Sequence, residues 1–207
     1  MQTKKDYTRD DILKAAETIF LRDGFSKANM RDIARSANVG LSNLYNYFKN
    51  KDEMLRVIVA PVIQELDRVL LEHHNPDNLD EFELYLEKGS ELMLKGQTGT
   101  YLYLTRNYRR QMELLFTKAQ GSSLENFIDD YTDRCTVQMD RYMNKAFERH
   151  PELRSKCHPF SYHLQMVWMF DLFTEMIKHR IKPKDAERVV TDYIKFVFHG
   201  WRGLMVT

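Results

Sequence analysis

Apolar residues recur at helical spacing along nearly the whole chain. Ile12, Ala15, Ala16, Ile19 and Phe20 fall at i, i+3, i+4, i+7 and i+8, the stripe that one buried helix face requires. Thr8 with Asp11 reads as a capping box opening this helix, and Gly24 ends it. Met30, Ile33, Ala34 and Ala37 repeat the spacing over a shorter stretch, behind Asn29 as cap with Asp32 three residues on. Asn38 and Gly40 flank Val39, and both residue types tolerate the left-handed backbone of a sharp turn. A second short helix is predicted from about Leu41, with Leu44 and Phe48 four residues apart as its buried edge. Projected at about 100° per residue, Ser42, Asn43, Asn46 and Tyr47 fall on the opposite, exposed side.

Beyond this segment Asp52 opens a longer helix toward His73, and Pro61 inside it removes one backbone donor and predicts a bend. Asn78 with Glu81 caps a further helix to about Gly96. Gly96 and Gly99 mark a break, followed by a helix over 101–118. Ser122 with Glu125, after Gly121, reads as another capping box for a long helix to about Arg149. Pro151 and Pro159 bracket a loop, and Lys182-Pro183 separates two last helices over 160–180 and 184–204. No stretch alternates with period two over the length of a strand, so the fold class predicted is all-α.

The last two helices differ from the others. Trp168, Met169, Phe170, Leu172 and Phe173 are nearly continuous, and the final helix carries Val189, Val190, Tyr193, Ile194, Phe196, Val197, Phe198 and Trp201. A helix apolar on most sides must be buried on more than one. Either a second copy of the chain covers the outer side, or both helices lie deep within one subunit. Gly200 and Gly203 bracket Trp201 and would let helices approach closely.

Composition narrows the classes. With 207 residues, 43% of them hydrophobic, the chain can fill a real core, and a net charge of +1 excludes a polycation that binds by charge alone. No apolar run reaches the roughly 18 residues a membrane span needs, and the N-terminus lacks the hydrophobic segment of a signal peptide. A cytoplasmic protein with no membrane partner is expected. Cys135 and Cys157 then read as reduced thiols, with a redox-sensing pair as the alternative. The seven histidines show no HExxH and no Cys–His metal spacing, and the glycines form no phosphate-cradling loop. Neither metal, cofactor nor catalysis is expected, and His73-His74 reads as a solvated helix end.

The segment 31–55 therefore reads as a helix-turn-helix, whose exposed amides, hydroxyl and phenol suit base edges and phosphates in a major groove. The run 24–55 resembles the DNA-binding domain of the tetracycline-repressor (TetR) family of bacterial regulators. The matching residues are Gly24-Phe25, Asp32-Ile33-Ala34, Ala37, Val39, Leu44-Tyr45, Tyr47-Phe48, Lys51 and Leu55. Asn29 stands where the family mostly has Thr, Asn38 where Gly is usual, Gly40 where Ser is usual, and Leu41-Ser42 where a basic residue and Gly are frequent. No relative's operator sequence carries over. The remainder is similar to the family only in length and helical pattern. The resemblance implies a helix-turn-helix domain over 1–51 and a helical ligand-sensing and dimerisation domain over 52–207. It further implies a homodimer through a four-helix bundle of the helices near 160–180 and 184–204, a palindromic double-stranded DNA operator, an unknown small-molecule effector, and no enzymatic activity. A ligand-responsive repressor is the function expected. The alternative is a DNA-binding dimer whose C-terminal domain recruits a protein and binds no small ligand.

Residue roles follow. Ser42, Asn43, Asn46 and Tyr47 face the groove, where Asn pairs bidentately with adenine. Arg31 matches a family position that reaches a base or phosphate. Tyr45 matches one that touches the backbone, and it reads equally as a core aromatic with a surface hydroxyl. Lys49 and Lys51 look like phosphate anchors, while Lys4, Lys5 and Arg9 form either a DNA-facing arm or a solvated terminus. The candidate effector lining is Tyr101, Tyr103, Tyr108, Met112, Phe116 and Trp168, with Met139, Tyr142 and Phe170. Arg106, Arg109 or His163 would supply a charge for an anionic ligand. Plain core packing is the competing reading of every one of these apolar positions.

Overall fold

The structure, a computed structural model, describes residues 4–80, 82–83, 90–153 and 158–205. The described residues are helical, with no strand among them, and the fold is all-α. The chain divides into two compact units, one of Met1–Gln64 with Arg110–Phe127 and one of Glu65–Arg109 with Ile128–Thr207.

In the first unit, α1 spans Lys4–Asp23. Ile12, Ala15, Ala16, Ile19 and Phe20 are all buried, as their spacing predicts. The helix starts earlier than the Thr8–Asp11 pair, so Thr8 lies inside it and not at its N-cap. Gly24, at φ +80°, stops it and donates to the Phe20 carbonyl at 2.9 Å. α2 spans Met30–Ser36 and is capped as expected, the Asp32 N–H donating to Asn29 Oδ1 at 3.0 Å. α3 is one short helix, Leu41–Tyr45. Of the two turn residues between them, only Asn38 adopts the left-handed conformation, at φ 53°, while Gly40 is extended at φ −66°. α4 spans Lys51–His73 without interruption at Pro61, which lies on its exposed face. Its residues to Gln64 belong to the first unit and those from Glu65 to the second.

The rest of the first unit comes from far along the chain. α6 (Arg109–Glu113), in the first unit from Arg110, is followed by a π-helical turn, Leu114–Lys118, with Leu114 and Leu115 buried. Lys118 O accepts from the Phe25 N–H at 2.9 Å, Arg110 Nε donates to Glu17 at 2.9 Å, and Asp52 accepts from Ser123 N and Oγ at 2.8 and 2.9 Å. Ser122 and Glu125 do not form the expected capping box. Ser122 Oγ accepts from Leu124 N, two residues on, and Glu125 accepts from Gly121 N. These bonds build a turn, and α7 begins only at Phe127, running to Arg149.

In the second unit α5 spans Ser90–Asn107, so Gly96 and Gly99 do not break it. Two interior glycines cost about 1 kcal/mol each. Burial of Leu102 and Leu104 contributes roughly 1.5–3 kcal/mol apiece, and Leu102 packs on Met176, Ala186, Val190 and Ile194. Packing outweighs propensity here. α8 (Phe160–Lys178) and α9 (Pro183–Met205) fall where the sequence predicts them. Glu81, the second half of the Asn78 box, and Cys157 lie outside the described residues.

Gly121 is left-handed at φ +83°, and a Cβ there would stand 2.6 Å from Ser26 Oγ, itself bonded to Gln120 O. Gly121→Ala is therefore expected to destabilise the fold by about 1–3 kcal/mol, read as a lower urea midpoint with an unchanged slope.

Candidate nucleic-acid interface and interior cavity

The helix-turn-helix is oriented by what it buries. Leu44 and Phe48 are inaccessible, and Ile33 and Ala34 of α2 are buried with them. Ser42, Asn43 and Asn46 are thereby left exposed, with Arg31 and Lys49. Tyr45 is 50% exposed, which removes its reading as a core aromatic. Tyr47 is only partly exposed. α3 ends at Tyr45, so Asn46 and Tyr47 stand in the turn after it. Asn46 keeps near-helical angles, φ −72° and ψ −19°, and so continues the exposed side. The result is a small polar face of amide, hydroxyl and phenol groups, with cations at Arg31 and Lys49.

Lys51 is placed otherwise than its expected role as a phosphate anchor requires. Its ammonium donates to the carbonyls of Phe25 (2.6 Å), Ser26 (3.2 Å) and Ala28 (2.9 Å), and lies 4.3 Å from the Phe25 ring centroid. All three N–H donors are used, and burial lowers its pKa. The structure assigns it a positioning role, tying the start of α4 to the loop between α1 and α2. Arg9, from the candidate arm, rests its guanidinium 5.2 Å from the Phe48 ring centroid.

The second unit holds a cavity of about 150 Å³ and, sharing walls with it, a smaller one of about 50 Å³. Tyr101 lines both, and Met139 and Tyr142 line the larger. The other expected lining residues stand elsewhere. Tyr103 and Tyr108 pack edge to face against each other at 6.0 Å, with Tyr103 largely exposed. Met112 and Phe116 belong to the first unit. Phe170 is core, edge-on to Tyr131. Trp168 points outward, 47% exposed. None of the expected cations reaches the cavity: Arg106 pairs with Glu187, Arg109 donates to the Met176 and Ile181 carbonyls, and His163 pairs with Asp133 while stacked on Phe160.

Residues that sequence reasoning passed over complete the walls. His73, His74, Gln97, Met166 and Met169 line both chambers. His74 is not the solvated helix end expected: its Nδ1 is buried with no hydrogen-bond partner among the described residues, its ring meets Tyr142 edge-on at 5.7 Å, and burial lowers its pKa to about 4. Gln165, between the helices, accepts from Trp201 Nε1 at 3.0 Å and donates to the Tyr193 hydroxyl at 3.3 Å. Cys135 lines the smaller chamber, and burial pushes its thiol up to about 12, leaving it protonated and unreactive near neutrality.

On the outside of α8, Phe160, Leu164 and Trp168 are exposed on successive turns. On α9, Phe196 (67% exposed) and Leu204 flank Gly200, where an added Cβ would meet nothing within 4 Å. Phe198 faces the other way, into the core and the larger cavity. No described helix is long and apolar enough to cross a membrane, and no cluster of metal-ligating side chains occurs among the described residues.

The sequence model of the bacterial regulatory proteins of the tetR family matches residues 12–58. An uncharacterised HTH-type transcriptional regulator of Haemophilus influenzae is 36% identical over 146 residues, 70% of this chain and 71% of that protein. The HTH-type transcriptional regulator UidR of Escherichia coli is 34% identical over 76 residues, and that match spans 37% of UidR's length and 37% of this chain. Among solved structures, NalD of Pseudomonas aeruginosa, the secondary repressor of the MexAB-OprM multidrug efflux pump, is similar with a TM-score of 0.59, 20% identity and 99% of each chain covered.

Two measurements probe these placements. Lys51→Met is expected to lose about 1–3 kcal/mol of stability, because three carbonyls lose a charged donor; thermal melting that matched the parent would contradict the tie. His74, with a folded pKa depressed toward 4, takes up a proton on unfolding wherever pH lies between that value and about 6.5. Its contribution is fully present above about 6.5 and is lost as pH falls, by of order 3 kcal/mol in full. His74→Phe should flatten the acid limb of the stability–pH curve relative to the parent.

Proposed function

Since the chain belongs to the TetR family of bacterial regulatory proteins, we propose that it is a ligand-responsive repressor that binds a palindromic operator as a homodimer. The observation that carries the DNA half is the exposed polar face of α3, set opposite the buried Leu44 and Phe48. Asn43 and Asn46 read base edges, Ser42, Tyr45 and Tyr47 reach bases or phosphates, and Arg31 and Lys49 meet phosphate. Base readers choose the site, and phosphate contacts hold the register. Lys51 acts indirectly, by fixing the start of α4.

The dimer half rests on the apolar stripe of Phe160, Leu164, Trp168 and Phe196, which nothing within the chain covers among the described residues. Contiguous exposed aromatic surface of this kind marks a protein interface. Two copies packed along α8 and α9 would bury it, with Gly200 allowing close approach. The sensor half rests on the cavity walled by Tyr101, Tyr142, Met166 and Met169. His73 and His74, at the end of α4, form part of that wall. A ligand preferring one disposition of α4 over another would change operator affinity, by about 5–150-fold for a coupling of about 1–3 kcal/mol.

Three outcomes are expected. Asn43→Ala should cost about 1–3 kcal/mol on the preferred site and relax preference at one base position. Lys49→Ala should weaken all sequences alike and lower the salt dependence by about one phosphate's worth; equal losses from both variants on specific and random DNA would remove this division of roles. Phe196→Glu or Trp168→Glu should give folded monomers in sedimentation, whereas Phe198→Glu should unfold the protein, being a core substitution.

A further inference from the structure

We infer that the effector of the second unit is an uncharged molecule of about one ring, carrying a hydroxyl or N–H group that donates a hydrogen bond to Nδ1 of His74. This deepens the sensor reading above and rests on it. Three features of the cavity lead there.

Size is the first. An apolar cavity of about 150 Å³ accepts a single benzene-sized ring, and that is the volume of the larger chamber. The smaller one adds about 50 Å³, room for a substituent of a few atoms. Charge is the second. Among the described residues, neither chamber is walled by a Lys, Arg, Asp or Glu. The arginines closest in sequence to the cavity-lining Tyr101, Arg106 and Arg109, are committed to Glu187 and to backbone carbonyls. An isolated carboxylate or ammonium entering such a site would lose its hydration with no opposite charge to replace it. An uncharged ring loses little and gains contact with Tyr142, Met166 and Met169.

The third feature is the orphan nitrogen. His74 lines both chambers, and its Nδ1 is buried with no hydrogen-bond partner among the described residues. Burial holds the imidazole neutral near neutrality, so one ring nitrogen carries the proton and the other a lone pair. A buried N–H without an acceptor is rarer than a buried acceptor without a donor. On that ground Nε2 is assigned the proton and Nδ1 the lone pair, which is buried as the ring stands and meets a ligand in the chamber by a turn of the imidazole about its Cβ–Cγ bond. A buried acceptor left unmet costs free energy, and a ligand hydroxyl or N–H placed there recovers it. An ether or a bare hydrocarbon of the same shape cannot.

The test uses the full chain and three probes of one ring size: phenol, anisole and benzoate, titrated by calorimetry near pH 7. Phenol is expected to bind about 3–10-fold tighter than anisole, the span of one neutral hydrogen bond, and benzoate to bind at least about tenfold more weakly than phenol. In His74→Phe the ratio of phenol to anisole affinity should fall to about one. Should that variant not fold, the ¹⁵N resonance of His74 Nδ1 in the parent is expected to move with phenol and not with anisole. Equal binding of phenol and anisole by the parent, a preference that survives in His74→Phe, benzoate bound as tightly as phenol, a Nδ1 resonance indifferent to phenol, or no binding of either neutral ring would each overturn the assignment. Operator binding measured in parallel separates this from the sensor reading. Phenol bound through His74 without effect on the operator upholds the assignment and removes the sensor. Phenol that weakens operator binding equally in parent and His74→Phe upholds the sensor and removes the assignment.

Discussion

Three carbonyls, those of Phe25, Ser26 and Ala28, converge on the single ammonium of Lys51, with the Phe25 ring beneath it. The loop between α1 and α2 has few backbone donors for these oxygens, the Ala28 N–H reaching that of Phe25 at 3.2 Å, and an under-satisfied carbonyl away from water is costly. One flexible side chain donates to all three and draws the first turn of α4 against the loop. The same turn is held from its other sides. Asn50 Oδ1 accepts from Glu53 N, Glu53 accepts from Lys49 N, and Asp52 accepts from Ser123. The exposed polar face of α3 lies in the chain between α2 and this anchored turn, so its direction is set by bonds that its own exposed residues do not make.

α4 runs on from that turn into the second unit. It is tied at Lys51 and ends at His73, beside His74, on the cavity wall. The His74 carbonyl accepts from Gln138 Nε2 of α7 at 2.8 Å, so the end of the helix is positioned as its beginning is. On the sensor reading proposed above, a ligand in the cavity would act by favouring one arrangement of this helix over another. The described cavity wall carries no Lys, Arg, Asp or Glu, so on that reading selection would depend on shape and one or two hydrogen bonds.

Much of the fold could be read from sequence because its information is local. The Ile12 to Phe20 stripe, the Asn29 cap and the bounds of α8 and α9 follow from spacing over a turn or two. Where distant residues decide, local reading fails. Gly96 and Gly99 stay helical because Leu102 packs on α9. Ser122 and Glu125 make a turn in place of a cap because that segment bonds to residues 94 and 71 positions earlier, Ser26 and Asp52. Lys51 looked like a surface cation, and only the fold brings carbonyls 23–26 residues away to its tip. The exposed face of α3 was legible because Leu44 and Phe48 mark its opposite side. The cavity lining was not, since Met and aromatic residues at helical spacing look alike whether they face a core, a cavity or solvent. Tyr101, Phe170 and Trp168 show all three outcomes.

The central claim, that paired copies present two α3 faces to one duplex, is tested most directly by unbiased selection of bound fragments from random double-stranded DNA. The account predicts enrichment of an inverted repeat whose half-site centres lie about one helical turn, roughly 34–36 Å, or a multiple of it apart, with enrichment lost for Asn43→Ala at one position of each half. Enrichment of a single unrepeated site, or none above the starting pool, would contradict it.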